Sequence, residues 1–194
     1  MHADGWERTM SNAIPERGAI DPYAGMRQVP GFEVTSADIK DGEPLPAETY
    51  DFASGGQNRS PQLSWSGFPA STKSFAVTCF DPDAPTGSGF WHWAVANIPA
   101  SMTSLPAGAG DPAKGLLPEG AIMMPNETRS SEFIGAGPPE GTGVHHYWFV
   151  VHALDVSRIE VDPAATPAVL GFMMRNNVLA RGILVATGEF GGAA

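Results

Sequence analysis

FDPDAPTGSGFWHW, residues 80–93, joins two runs of alternating apolar residues through a turn that carries two aspartates, two prolines and a histidine. The runs on either side, SFAVTCFD and WHWAVANIP, have the β-branched and aromatic composition of strands. Pro82 and Pro85 each lack a backbone donor and restrict φ, so the segment ends one strand and leads into the next. Carboxylates beside a histidine commonly fix the tautomer of the imidazole. Repeated Asp-Pro is also a common turn former, so on this segment alone a plain turn is an open interpretation.

Strand-like runs recur along the rest of the chain and predict a mainly-β fold. They are rich in β-branched and aromatic residues, are bounded by Pro, Gly, Asn or Asp, and lie at 32–39, 62–68, 145–155 and 183–190. One helix is predicted before the last run, because Thr166 suits an N-cap and Pro167 suits the first helical position, with Gly182 as the expected stop.

Composition and charge limit the classes of function. With 194 residues, 42% of them hydrophobic, the chain can bury one sizeable core, which we place in a single domain at 21–194. The polar, Pro- and Gly-broken residues 1–20 predict a flexible N-terminal arm. A net charge of -10 disfavours nucleic acid and anionic membranes as partners. With one cysteine, no apolar leader and no run of about 18 apolar residues, the sequence predicts a cytoplasmic protein without stable membrane insertion.

Alternation along the strands decides which histidines can converge. Along HHYWFVVHALD, His145 and Tyr147 share one face, whereas His146 and His152 share the other. In WHWAVAN, His92 has the parity of two alanines, which leave room above the strand. The pattern predicts a cavity lined by His92.

Several linked motifs resemble one known family. DPDAP (81–85), WHWAVAN (91–97) and GPPEGTGVHHY (137–147) follow one another in that order, with SPQLSWSGFP (60–69) upstream. Together they resemble the phosphatidylethanolamine-binding protein family, also called Raf kinase inhibitor-like proteins, and look closest to its compact bacterial members, including those of actinobacteria. The resemblance covers about residues 21–190 and is more specific than any single motif.

The resemblance implies a β-sandwich-like core of antiparallel sheets with a few peripheral helices and a small anion-binding pocket at one end. Carried over by position, the ligand-binding residues are Asp81, Asp83, Pro85, His92, Gly137, Pro138, His145 and Tyr147. It also implies a cis bond between Ala84 and Pro85. The family commonly has Arg where this chain has His146, so a supporting contact behind the pocket is expected to differ.

The expected function is non-catalytic binding of a phosphate-bearing or other small anionic group. The resemblance implies a protein partner such as a kinase or protease, and a homodimer; no cofactor, metal or catalytic residue is expected. One alternative is a hydrolase that uses His92 or His145 as a base beside Asp81 and Asp83, although neither G-x-S-x-G nor H-E-x-x-H occurs. Another is a metal-binding protein, because two histidines and two aspartates are a feasible zinc set.

Overall fold

A computed structural model describes residues 20–193, so the predicted flexible arm lies almost wholly outside the described residues. The strands in this range are β1 Gly31–Thr35, β2 Leu63–Ser66, β3 Ser74–Asp81, β4 Phe90–Pro99, β5 Ser104–Leu105, β6 Ile122–Met123, β7 His145–Leu154 and β8 Val178–Gly188. The helix is α1, Pro167–Met174, and single 3-10 turns occur at Ala47–Thr49 and Pro112–Lys114. The predicted mainly-β fold with a helix near the C-terminus is confirmed.

All eight strands belong to one hydrogen-bonded order, β5-β2-β1-β8-β7-β3-β4-β6. The sheet curls over on itself, because the Trp65 ring of β2 packs edge-on against the Phe75 ring of β3 with 5.3 Å between centroids, although three strands separate β2 from β3 in that order. The curl gives the sandwich-like core. One pair departs from the expected antiparallel arrangement, since β1 and β8 run parallel.

The C-terminal helix begins as predicted but ends earlier. The side chain of Thr166 accepts from the backbone N–H of Val169, and Pro167 is the first helical residue. The helix ends at Met174 rather than at Gly182, because the chain from Val178 onward pairs with β7. Gly182 therefore lies inside β8, where a Cβ would lie 2.6 Å from the Phe32 ring.

The central strands β3, β4 and β7 are buried on both faces. Large aromatic side chains, Phe75, Trp93 and Phe149 among them, fill the space inside the curl. On the outer face, small residues of the same strands lie under α1, whose Leu170 and Met174 are buried there. No helix within residues 20–193 has the length and apolar character needed to span a membrane.

Candidate ligand-binding site

A cavity of about 350 Å³ opens at the end of the sheet where β3 stops and β4 and β7 start. It is lined by seven of the eight predicted residues, namely Asp81, Pro85, His92, Gly137, Pro138, His145 and Tyr147. Asp83 does not line it. We call this space the front cavity.

The buried carboxylate of Asp81 fixes both the turn after β3 and the orientation of the His145 imidazole. Asp81 Oδ1 accepts from the backbone N–H groups of Asp83 at 2.8 Å and Ala84 at 3.1 Å, which fixes the turn after β3. Asp81 Oδ2 lies 2.7 Å from Nδ1 of His145. The carboxylate thus holds the imidazole with Nδ1–H directed at it. The DPDAP segment is therefore a turn and a wall of the cavity at once.

The second nitrogen of His145 is also used by the protein. Its Nε2 lies 2.8 Å from the Thr142 hydroxyl, which itself donates to the carbonyl of Pro139 at 2.7 Å. Because the hydroxyl hydrogen is directed at Pro139, the Thr142 oxygen is free to accept from Nε2–H. Both ring nitrogens of His145 are thus engaged within the protein, by Asp81 and by Thr142.

His92 faces the cavity because of a β-bulge. The register between β3 and β4 shifts at this point: Phe80 pairs with Trp91 and Cys79 pairs with Trp93, which leaves His92 as the extra residue. The expectation that His92 shares a face with the alanines at 94 and 96 is wrong, because both alanines pack under α1 whereas the His92 ring lies 5.1 Å from the Tyr147 ring. Bulges commonly redirect a side chain in this way.

The two ring nitrogens of His92 have different surroundings. Nδ1 donates to the carbonyl of Ile134 at 2.9 Å, whereas the buried Nε2 has no partner among residues 20–193. Burial lowers the pKa of His92, and the hydrogen bond to Ile134 opposes that shift. The free protein therefore presents a neutral imidazole whose Nε2 lone pair is unpaired.

The phenol of Tyr147 supplies a hydrogen-bond donor. Its ring is buried, and burial followed by the negative charge of Asp81 raises the pKa of its hydroxyl above the usual range. The group stays protonated at neutral pH. No group of residues 20–193 hydrogen-bonds to this hydroxyl, so the hydroxyl can donate to a ligand in the cavity.

A loop contact that the sequence analysis missed forms the other wall. Asp51 lines the cavity, and its Oδ1 accepts from the backbone of Ser54 at 2.7 Å. Glycine is required opposite it, because a Cβ at Gly137 would lie 2.7 Å from Asp51 Oδ2 and a Cβ at Gly135 would lie 2.5 Å from the Asp51 nitrogen. The available signal was weak: Asp51 precedes a Gly-Gly pair in ETYDFASGG but belongs to no periodic pattern.

Two expectations from the family resemblance differ in the structure. No peptide bond in residues 20–193 is cis, so the bond between Ala84 and Pro85 is trans; the N–H of Thr86 donates to the Ala84 carbonyl at 2.8 Å and closes the turn around trans Pro85. Asp83 lies behind the wall, where its Oδ2 accepts from the backbone N–H and Nδ1 of His146, each at 2.8 Å. His146 points away from His145, as alternation predicted, and supports the turn.

The metal-binding alternative gains no support from this geometry. Within the part of the chain that the structure describes, no group of three or more His, Cys, Asp or Glu side chains is arranged to hold an ion.

The curled, mainly-β sheet and the cavity at its end, lined by Asp81, His92 and His145, suit a binding protein. The profile of the phosphatidylethanolamine-binding protein family matches residues 35–189, and the chain belongs to that family. The resemblance seen in the DPDAP, WHWAVAN and GPPEGTGVHHY segments is thereby confirmed.

Relatives from Escherichia coli agree with this assignment. The UPF0098 protein YbcL of strain K12 is 48% identical over 155 residues, which cover 79% of this chain and 85% of that protein. The crystal structure of YbcL, described as a new member of the mammalian PEBP family, matches with a TM-score of 0.78 and covers 81% of this chain and 98% of that one. The UPF0098 protein YbhB is 44% identical over 159 residues, 80% of this chain and 98% of that protein.

Proposed function

We propose that the front cavity binds a small phosphate-bearing or similarly anionic group and that the protein is not an enzyme. The observation that carries the proposal is the buried Nε2 of His92, which has no partner among residues 20–193 and belongs to a ring beside that of Tyr147. A buried polar atom without a hydrogen-bond partner destabilises the folded protein. A ligand that hydrogen-bonds to it removes that penalty and displaces no protein partner. Tyr147 can donate to an oxygen of the same ligand.

The carboxylate in the cavity does not preclude an anion. The charge of Asp81 is offset by two backbone donors and by the His145 imidazole. A carboxylate so engaged repels a second anion less than a free one, because part of its field is cancelled at close range. Gly137 and Pro138 also line the cavity and bring no charge to it.

Binding must bring a proton to His92. The unprotonated Nε2 is a hydrogen-bond acceptor, and so is an oxyanion. A hydrogen bond between them therefore needs a hydrogen on one side, either on the imidazole or on the ligand. A monoprotonated phosphate ester brings its own proton. A dianion without an acidic proton, such as sulfate, requires protonation of the imidazole.

The hydrolase alternative is weaker because the cavity offers no activated nucleophile in the described range. Burial raises the pKa of the Cys79 thiol well above its ordinary value. The hydroxyls of Thr86 and Thr128, which line the cavity, donate to the Gly89 carbonyl and to the side chain of Asn126. His92 Nε2 is not hydrogen-bonded to any hydroxyl or thiol of residues 20–193.

The proposal is tested by calorimetric titration of sulfate and methyl phosphate at pH 8 and pH 6. We expect sulfate affinity to rise toward pH 6, by at most about tenfold per pH unit, because one proton is taken up on binding and the pKa of free His92 is low. His92→Gln should weaken binding at pH 6 by roughly ten- to a hundredfold, the loss of one charge-assisted hydrogen bond.

His152→Gln is the matched control, because His152 lies on the opposite face of β7 and does not line the front cavity. Sulfate affinity that does not change with pH, or an equal loss in His152→Gln, would contradict the proposed site. Hydrolysis of methyl phosphate that disappears in His92→Gln would show that the protein is an enzyme.

Regulation of a partner kinase or protease, the homodimer and the cytoplasmic location stay predictions. They rest on the family and on composition, and no surface of residues 20–193 identifies such a partner by itself.

A further inference from the structure

A second cavity, of about 530 Å³, lies on the other face of the central strands. The chain before β1, the strands β3, β4, β7 and β8, and the helix α1 all contribute to its lining, which includes Tyr23, Thr78, Trp91, His152, Phe172 and Arg181. We call it the rear cavity. None of its lining residues belongs to the front cavity.

Two buried polar atoms of the rear cavity lack partners within residues 20–193. His152 on β7 pairs directly with Arg181 on β8, so their side chains are neighbours on one face. His152 Nδ1 and Arg181 Nε are both buried without a hydrogen bond. His152 is 2% exposed, and its Nε2 lies 3.3 Å from the Thr78 hydroxyl.

The same kind of ligand atom, a hydrogen-bond acceptor, can satisfy both His152 Nδ1 and Arg181 Nε. Burial, with a smaller effect from the charge of Arg181, lowers the pKa of His152 to about 3, so the ring is neutral. When Thr78 donates to Nε2, Nδ1 carries the hydrogen. His152 Nδ1–H and Arg181 Nε–H are then two adjacent donors, which an oxygen acceptor can satisfy together.

The charge around the rear cavity is positive, in a chain whose net charge is -10. Arg27, Arg175 and Arg181 line it. Among residues 20–193 no carboxylate lies within 4 Å of these three guanidinium groups. Burial lowers the pKa of Arg181; smaller effects come from Tyr23, which raises it, from the charge of Arg27, which lowers it, and from the charge of Asp21, which raises it without a salt bridge. The cavity thus favours an anion.

Most of the remaining lining is apolar, apart from Asn176 and the hydroxyls of Tyr23 and Thr78. Trp91, Met174, Val178 and the ring of Pro167 are among its walls, and Phe172 lies at the helix surface, 61% exposed. The volume is within the range of about 300 to 1,000 Å³ that is typical of small-molecule sites. A ligand that fits would therefore have one acidic oxygen group and an apolar body.

We propose that the rear cavity binds a small amphipathic carboxylate, with the carboxylate between His152 and Arg181 and the hydrocarbon body against Trp91 and α1. Such a ligand satisfies both buried donors and neutralises the guanidinium charge. Its apolar part covers surface that is otherwise exposed to water. The site is independent of the front cavity, because the two lie on opposite faces of β7.

Octanoate is the probe, with octylamine and octanol as probes of equal chain length. We expect saturable one-to-one binding of octanoate, binding of octanol at least tenfold weaker, and no saturable binding of octylamine, measured by calorimetry and ligand-observed NMR. Arg181→Met, which keeps much of the side-chain length but removes the charge, should weaken octanoate binding at least tenfold.

A blocking variant tests the location without removing a buried contact. Gly171 lines the rear cavity, and a Cβ there would meet no atom within 4 Å, so Gly171→Leu fills space and suits the helix better than glycine. It should abolish octanoate binding, whereas Val169→Leu, on the exposed surface of the same helix, and His92→Gln, in the front cavity, should leave it unchanged.

Four results would overturn the proposal. These are no saturable octanoate binding at millimolar concentration, equal binding of octylamine, binding that survives Gly171→Leu, and loss of binding in His92→Gln instead. If Arg181→Met does not fold, Gly171→Leu and the comparison of the three probes decide the question alone.

Discussion

At the scale of single residues, Asp83 and His146 form a buried support for the turn that walls the front cavity. One oxygen of Asp83 accepts twice from His146, but the other oxygen, Oδ1, is buried without a partner among residues 20–193. Only one of the two carboxylate oxygens of Asp83 is therefore hydrogen-bonded. An arginine at position 146, the residue that the family resemblance leads one to expect there, could reach both oxygens, because a guanidinium has several donors in a fork.

We predict that His146→Arg raises the free energy of unfolding by roughly 1 kcal/mol, since it adds a permanent charge and a donor for the buried oxygen. Urea unfolding at neutral pH measures the change. Val144→Arg is the matched control. Val144 is half exposed, so an arginine there adds the same charge nearby without replacing the ring that contacts Asp83. An equal gain in both variants would mean that net charge, and not the contact with Asp83, is responsible.

The residues of the front cavity were predictable to different degrees. Alternation along β7 alone placed His145 beside Tyr147, because both faces of that strand keep the period of two. Alternation and the family resemblance both predicted that His92 lines a cavity, but the face that alternation gave it, shared with the alanines at 94 and 96, is wrong, since a bulge has no recognisable signal in WHWAVAN. Asp51 and Thr142 were missed because both act through loop contacts, which depend on tertiary structure and not on a local pattern.

At the scale of elements, β7 carries a neutral histidine in a buried position. The pKa of His152 is lowered to about 3 by burial, whereas a histidine in the unfolded chain has a pKa near 6.5. The unfolded state therefore binds more protons. Stability is retained above about pH 6.5 and is lost as pH falls from there toward 3, the reverse of a histidine whose pKa is raised by folding.

We predict that wild-type protein loses stability between pH 7.5 and pH 5, with about 2 kcal/mol of the loss due to His152. His152→Gln, which cannot titrate, should show a correspondingly smaller loss in urea unfolding at the two pH values. Val150→Ala on the same strand should lower stability equally at both, because Val150 is buried but carries no proton. An unchanged pH response in His152→Gln would show that the ring is protonated or exposed in the folded state.

The elements themselves were predicted best where they are long and periodic. Runs at β3, β4 and β7 alternate clearly, and their positions were correct to within a residue or two. The end of α1 was wrong because Gly182 is a local stop signal, whereas the chain actually leaves the helix to pair with β7 over Val178–Gly188, a contact between distant segments. The parallel pairing of β1 with β8 is likewise invisible in local sequence.

At the scale of the whole molecule, the chain just before β1 is joined to the sheet and closes the rear cavity. The Tyr23 ring lies 5.9 Å from the His152 ring and 6.3 Å from the Trp148 ring. The Arg27 guanidinium donates to the carbonyl of Val178, and Arg181 donates to the Arg27 carbonyl at 3.1 Å. The segment from Tyr23 to Arg27 is therefore part of the folded core, and a domain boundary near residue 21 stays a prediction.

We predict that deleting residues 1–20 leaves the melting temperature within about 2 °C of the full chain, because every contact named above is kept. Deleting residues 1–27 should lower it by roughly 5 to 10 °C, since the aromatic and guanidinium contacts of Tyr23 and Arg27 are lost and the rear cavity opens to water. Calorimetric unfolding of the three proteins at one concentration measures both effects. A large fall on removal of residues 1–20 alone would place the N-terminal arm in contact with the core or with a second subunit. Light scattering across concentration then separates those two cases, because only a contact between subunits makes the fall depend on assembly.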